Sequence, residues 1–193
     1  MTTYKTPGVY VEEIPKLPES ITSVGTTIPV FMGFTVKHSN NGSDLLNKAV
    51  KIHSVAEFEQ FYGTSEPQPL QLKFVQRISV ATGEELDSAI SMVDDKPILP
   101  TYFLYCSIRL YFANGGGPCY VFSVGVIPNS LDSSIFTNTF PLLEDLDEIA
   151  LMAFPDVCKF SEEQFGDIID AALTHCNQKQ NRFLVVDVMD AIK

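Results

Sequence analysis

A chain of 193 residues, 45% hydrophobic and 19% charged, carries enough apolar matter for a true core, as one large domain or one domain with an appended arm. None of its apolar blocks approaches the roughly 18 consecutive residues of a membrane span, which argues against direct membrane insertion. Its 24 acidic and 13 basic residues leave a net charge of -11, with no cluster of Lys and Arg to displace counterions, so the balance argues against a nucleic-acid partner.

The opening, Met1-Thr2-Thr3-Tyr4-Lys5, lacks the basic and apolar regions of a secretory signal, so synthesis and folding in the cytoplasm are expected. Tyr4, Pro7, Gly8, Val9, Tyr10, Val11, Glu12, Glu13 and Ile14 then form a Pro-Gly turn followed by β-formers. Pro15 and Pro18 keep the continuation extended and interrupt regular pairing. Residues 1–26 therefore read as an extended N-terminal β-arm, and 27–193 as a packed core. An isolated strand leaves its backbone polar groups unpaired, so the arm needs a sheet to accept it, its own or a neighbour's.

The core opens with an apolar strand at Thr27–Thr35. A short helix follows over 54–63, with Ser54 and Glu57 at capping-box spacing and Gly63 expected as a left-handed cap. Residues 64–100, with four prolines, a Gly83-Glu84-Glu85 turn and the Asp94-Asp95 pair, read as a variable insertion with a strand near 71–80. Thr101–Ala113 is apolar on several sides, which predicts a well-buried helix. Asn114, Gly115, Gly116 and Gly117 stop it, and Cys119–Gly125 is a strand apolar on both faces. A strand at 148–155, a helix capped by Ser161 and running to about Asn177, and a strand at 182–188 complete the pattern. The fold class predicted is α/β, a mainly parallel sheet flanked by helices, with the β-arm attached.

The chemistry of enzymes is sparse in this sequence. A phosphate cradle needs a strand, a glycine loop and then a helix N-terminus, whereas Asn114–Gly117 follows a helix and precedes a strand. Asp156, Asp187 and Asp190 fall at strand ends, where an open sheet binds ligands, but Asp156 and Asp187 read most simply as loop and cap residues. Gly-x-Ser-x-Gly does not occur, and Glu162-Glu163 reads as a solvated face. Cys106, Cys119, Cys158 and Cys176 never form Cys-x-x-Cys and read as buried, reduced thiols, and His38, His53 and His175 supply no close pair for zinc. No catalytic, cofactor-binding or metal residue is assigned, no cofactor is expected, and the expectation is a protein that is not an enzyme.

Three stretches resemble one family, the contractile tail sheath proteins of myophages and related injection systems. Tyr4–Ile14 resembles its Pro-Gly-Val-Tyr-x-Glu-Glu opening; Ser20-Ile21 and Thr26–Thr35 continue it; Leu104–Val121 resembles the helix and Asn-Gly-Gly-Gly turn of the sheath core. Tyr-Leu-Tyr-x-Ser-Ile-Arg-Leu with Tyr-Val-Phe-Ser-Val-Gly looks closest to phage-tail-like extracellular contractile injection systems. The resemblance implies a structural subunit of a helical polymer of hexameric rings, its arm adding a strand to a neighbouring subunit. Other sheath subunits (copies or paralogues), an inner tube and a baseplate are the implied partners. The particle it implies is made in the bacterial cytoplasm, and is a phage tail or a tail-like assembly released extracellularly. Family members continue into a C-terminal domain that contacts the tube; Lys193 falls short of it, so that domain is expected to be absent from this chain. Two alternatives stand beside it: a nucleotide-binding α/β enzyme, suggested by the parallel-sheet pattern and the glycines, and a tail-associated binding module.

Overall fold

The core is organised around one central strand, β1 (Ile28–Gly33), four of whose six residues are buried. The computed structural model describes residues 28–65, 72–92 and 100–188. The arm at 1–26, with the whole Tyr4–Ile14 strand, and Asp190 lie outside the described residues. After β1 come a two-residue ladder of β2 (Ser39–Asn40) and β3 (Ser43–Asp44), strand β4 (Ala49–Ile52) and helix α1 (Val55–Tyr62). A hairpin of β5 (Leu72–Ile78) and β6 (Glu85–Met92) follows, then α2 (Phe103–Ala113), β7 (Cys119–Ser123) and α3 (Ser134–Thr137). The last elements are β8 (Ile149–Ala153), α4 (Glu162–Lys179) and β9 (Phe183–Val185), with 3-10 turns at Phe140–Leu143 and Pro155–Lys159.

The main sheet runs β4-β7-β1-β8-β9. β1 pairs in parallel with β7 and β8, β8 in parallel with β9, and among the described strands of this sheet only β4 is antiparallel, beside β7 at the end of the order. The sheet is thus mixed but mostly parallel, and helices flank both faces. Val30, Met32, Tyr120, Phe122 and Met152 point to the α3 and α4 side, where Phe136, Ile168 and Ala172 meet them. Cys119 and Val121 point the other way, onto Leu104 and Ile108 of α2 and Phe58 and Tyr62 of α1. Burial on both faces explains why these strands read as continuous apolar runs.

The helix ends follow their local chemistry. Ser54 Oγ accepts the Glu57 N–H at 3.2 Å, and Ser161 Oγ accepts the Gln164 N–H at 3.3 Å. Gly63 departs from the expected left-handed cap: its φ is +83° but its ψ is 179°, so the chain leaves α1 extended, and Lys37 N–H bonds to Tyr62 O at 3.1 Å. α2 is less buried than its composition predicts. Leu104 and Ile108 face the sheet, while Cys106, Arg109 and Leu110 are exposed, because the helix lies as a single layer on one face. β9 is shorter than the predicted strand over 182–188: only Phe183–Val185 pairs with β8, and Arg182 is drawn into buried polar contacts.

Candidate functional site

In open α/β sheets the ligand crevice lies beyond the carboxyl ends of two adjacent strands whose onward connections take opposite faces. Here those strands are β1, left through α1 and α2, and β8, left through α4. A side chain of the protein fills that place. Asp156 is fully buried; its Oδ2 accepts the Phe34 N–H at 3.0 Å, and its Oδ1 accepts the Phe103 N–H at 3.0 Å. Lys159 Nζ stands 2.9 Å from the same Oδ1, donates to the Thr101 carbonyl and lies 4.5 Å above the centre of the Phe103 ring.

Phe103 is the first residue of α2, so Asp156 places a negative charge at a helix N-terminus, the position a bound phosphate takes in nucleotide-binding folds. Space for it comes from Gly33, where an added Cβ would sit 2.5 Å from Asp156 Oδ2 and 3.0 Å from Leu104 Cβ. On its other side the end of β1 is zipped to β7. The Thr35 and Ser123 hydroxyls are 2.5 Å apart, Thr35 N–H bonds to Gly125 O at 2.8 Å, and Val124 N–H bonds to Gly33 O at 3.0 Å. Of the other strand-end acids, Asp187 borders a cleft of about 280 Å3 lined by Leu110, Tyr111 and Val185, and desolvation there holds its carboxyl above the usual range.

The glycine run forms a Schellman turn. Gly115 N–H bonds to Phe112 O and Gly116 N–H to Tyr111 O, both at 3.0 Å, with Gly115 at φ +82°. Asn114 Nδ2 donates to Leu110 O at 2.7 Å. A Cβ at Gly116 would fall 2.4 Å from the Tyr111 ring, whereas one at Gly117 meets nothing within 4 Å. These donors are spent on the carbonyls of α2, so the loop presents the negative end of the helix and offers an anion no cradle.

Among the described residues no group of three or more His, Cys, Asp or Glu is placed to hold a metal, and no helix is long and apolar enough to cross a membrane. The four thiols are free, and Cys106 is exposed, contrary to the expectation of burial, because it lies on the outward side of α2. Cys119 is buried in β7, which pushes its thiol up to about 12.

Among the described residues the β5–β6 hairpin carries an exposed apolar face, which the sequence did not mark as a site. β5 and β6 form an antiparallel ribbon, its register shifted between Arg77 and Ile78, in which Phe74 opposes Ile90 and Arg77 opposes Asp87. Leu72 is 54%, Phe74 60% and Ile90 68% exposed, and alternation places all three on one face. Lys73, Val75 and Arg77 occupy the other. A two-stranded ribbon is marginal in water by itself, and exposed apolar area of this kind marks interaction surfaces. Alternation between Leu72 and Val75 is broken by only one apolar residue on the polar face, a signal available in the sequence.

Protein-family models give no match to this chain, and no curated protein matches it.

Proposed function

We propose that this chain is a structural subunit of a contractile tail sheath, which polymerises around an inner tube and contracts to drive it through a target envelope. The observation that carries the reading is the pair of sequence signatures, the Tyr4–Ile14 opening and the Leu104–Val121 helix, glycine stop and strand. The geometry adds a supporting point: Asp156 and Lys159 occupy the crevice a nucleotide would need, and the glycine run is turned toward a helix C-terminus. A sheath needs no small-molecule site; its work is done by interfaces. The N-terminal strand would supply backbone hydrogen bonds to a neighbouring subunit, and Pro15 and Pro18 would let the domains reorient while staying linked.

Electron microscopy of the full-length protein at high concentration and raised salt tests this, because the net charge of -11 on this chain opposes self-association at low ionic strength. Rings or tubes are expected, and deletion of Met1–Leu17 abolishes them while circular dichroism of the core is unchanged. Tubes that persist in the deletion variant exclude the arm's role. The exposed ribbon face favours one second reading, a tail-associated binding module; it predicts a protein that stays monomeric under every such condition. Saturable micromolar binding of ATP or NAD in calorimetry would favour the enzyme reading instead.

A further inference from the structure

Arg182 and His175 form a buried contact between α4 and the start of β9. Both residues are 4% exposed. Arg182 stands at the entry to β9 and reaches back under α4. Its Nη1 donates to Leu143 O at 2.8 Å and meets His175 Nε2 at 2.6 Å, and its Nη2 donates to Leu146 O at 2.6 Å. One guanidinium therefore ties the turn before β8, helix α4 and the start of β9 together. No carboxylate among the described residues forms a salt bridge with it.

A guanidinium can only donate, so Nε2 must be the accepting nitrogen and the imidazole must be neutral, with its proton on Nδ1. The ring also stacks on Phe140, centroids 5.8 Å apart. The charged groups acting on the ring are Arg182 just before β9, Glu144 from the turn before β8 and Lys179 from α4 itself, while Asp147 and Cys176, with Glu144, act on the guanidinium. Lys179 Nζ is committed to Glu144 O at 2.7 Å. Glu144 alone favours the protonated ring, and burial together with Arg182 and Lys179 outweighs it.

We propose that His175 and Arg182 form an acid-sensitive lock on β9: at neutral pH the imidazole holds the guanidinium in place, and on acidification a second buried positive charge expels Arg182 and releases the edge strand and the turn at 143–147. The sign follows from linkage. Burial first, then Arg182, depress the imidazole below its ordinary value of 6.5. Its contribution to stability is full above that value and declines as pH falls from it toward the depressed one. Asp187, at the far end of β9, has a raised pKa and so acts in the opposite direction, stabilising the fold as pH falls. The lock is independent of the sheath reading.

Hydrogen exchange by mass spectrometry on the full chain at pH 7.5, 6.5 and 5.5, expressed as protection factors, tests it. Protection of residues 183–185 and 143–147 is expected to fall by up to about tenfold per pH unit below 6.5. His175→Gln, which keeps an acceptor for Arg182 but cannot titrate, should flatten that dependence, whereas His38→Gln and His53→Gln leave it intact. Flat protection in the parent chain, or an equal fall in His175→Gln, overturns the lock. Should His175→Gln not fold, an NMR titration of the His175 ring in the parent chain decides: ring protonation without accompanying shifts in the β9 amides has the same consequence.

Discussion

Lys159 and Asp156, three residues apart, face each other at 2.9 Å inside the place where an open α/β sheet would normally hold its ligand. The Lys159 side chain is 19% and the Asp156 side chain 0% exposed. Removing Asp156 strands the ammonium together with the N–H groups of Phe34 and Phe103. Asp156→Ala is expected to destabilise the fold by about 3–5 kcal/mol, and Asp156→Asn by less, since its amide oxygen can still accept one N–H. Urea denaturation measures both; a loss below about 1 kcal/mol for the alanine variant contradicts the assigned role.

At the glycine turn, neighbouring positions should differ sharply. Gly116→Ala forces a methyl group against Tyr111, whose ring already packs edge-on against Phe31 at 5.2 Å, so a loss of about 1–3 kcal/mol is expected. Gly117→Ala should stay within about 0.5 kcal/mol. The double variant Gly116→Ala/Tyr111→Ala should cost less than the sum of its parts, because the clash disappears with the ring. Thermal melts of the four chains measure the coupling, and strict additivity would rule the clash out.

Tyr62 carries a hydroxyl that is buried without a hydrogen-bond partner among the described residues, and burial raises its pKa well above that of a free phenol. Its ring is held against Phe58 at 5.1 Å between centroids. Tyr62→Phe keeps that packing and removes the unsatisfied group, so a gain of about 1 kcal/mol is expected. Destabilisation in a calorimetric melt would mean the hydroxyl has a partner in solution.

Thiol reactivity should be graded by position. Cys106 is exposed, Cys158 and Cys176 are partly covered, and Cys119 is buried with a thiol near 12. At pH 8 the thiolate fraction of Cys119 is on the order of one in ten thousand. Iodoacetamide at pH 8 should therefore modify Cys106 first and Cys119 only after unfolding, as peptide mapping reads out. Equal labelling of the two in native buffer contradicts the placement of β7.

The legible part of this fold was the part governed by short-range chemistry. Apolar runs such as Cys-Tyr-Val-Phe-Ser announce strands buried on two faces, and Ser54, Ser161 and the Gly83 turn mark element ends. β4 was not legible: Ala-Val-Lys-Ile is too short to carry a period, and only its pairing with β7 makes it a strand. The exposure of Cys106 and Leu110 was also hidden, since an apolar helix gives no sign of which side meets the sheet. Asp156 was readable as a cap at a strand end; that it caps α2, 53 residues earlier in the chain, depends on topology.

The central position of β1 has a cost in time. Val30 aligns with Tyr120 and Ile28 with Ile149, so the first strand of the core to leave the ribosome must wait for partners about 90 to 120 residues behind it. At ordinary rates of synthesis that interval is roughly 5 to 25 seconds. Throughout it, Ile-Pro-Val-Phe-Met-Gly is an uncovered β-forming hexapeptide with no charged residue. Newly made chains are therefore most exposed to mispairing early in translation, and Pro29 is the one residue within the strand that works against it.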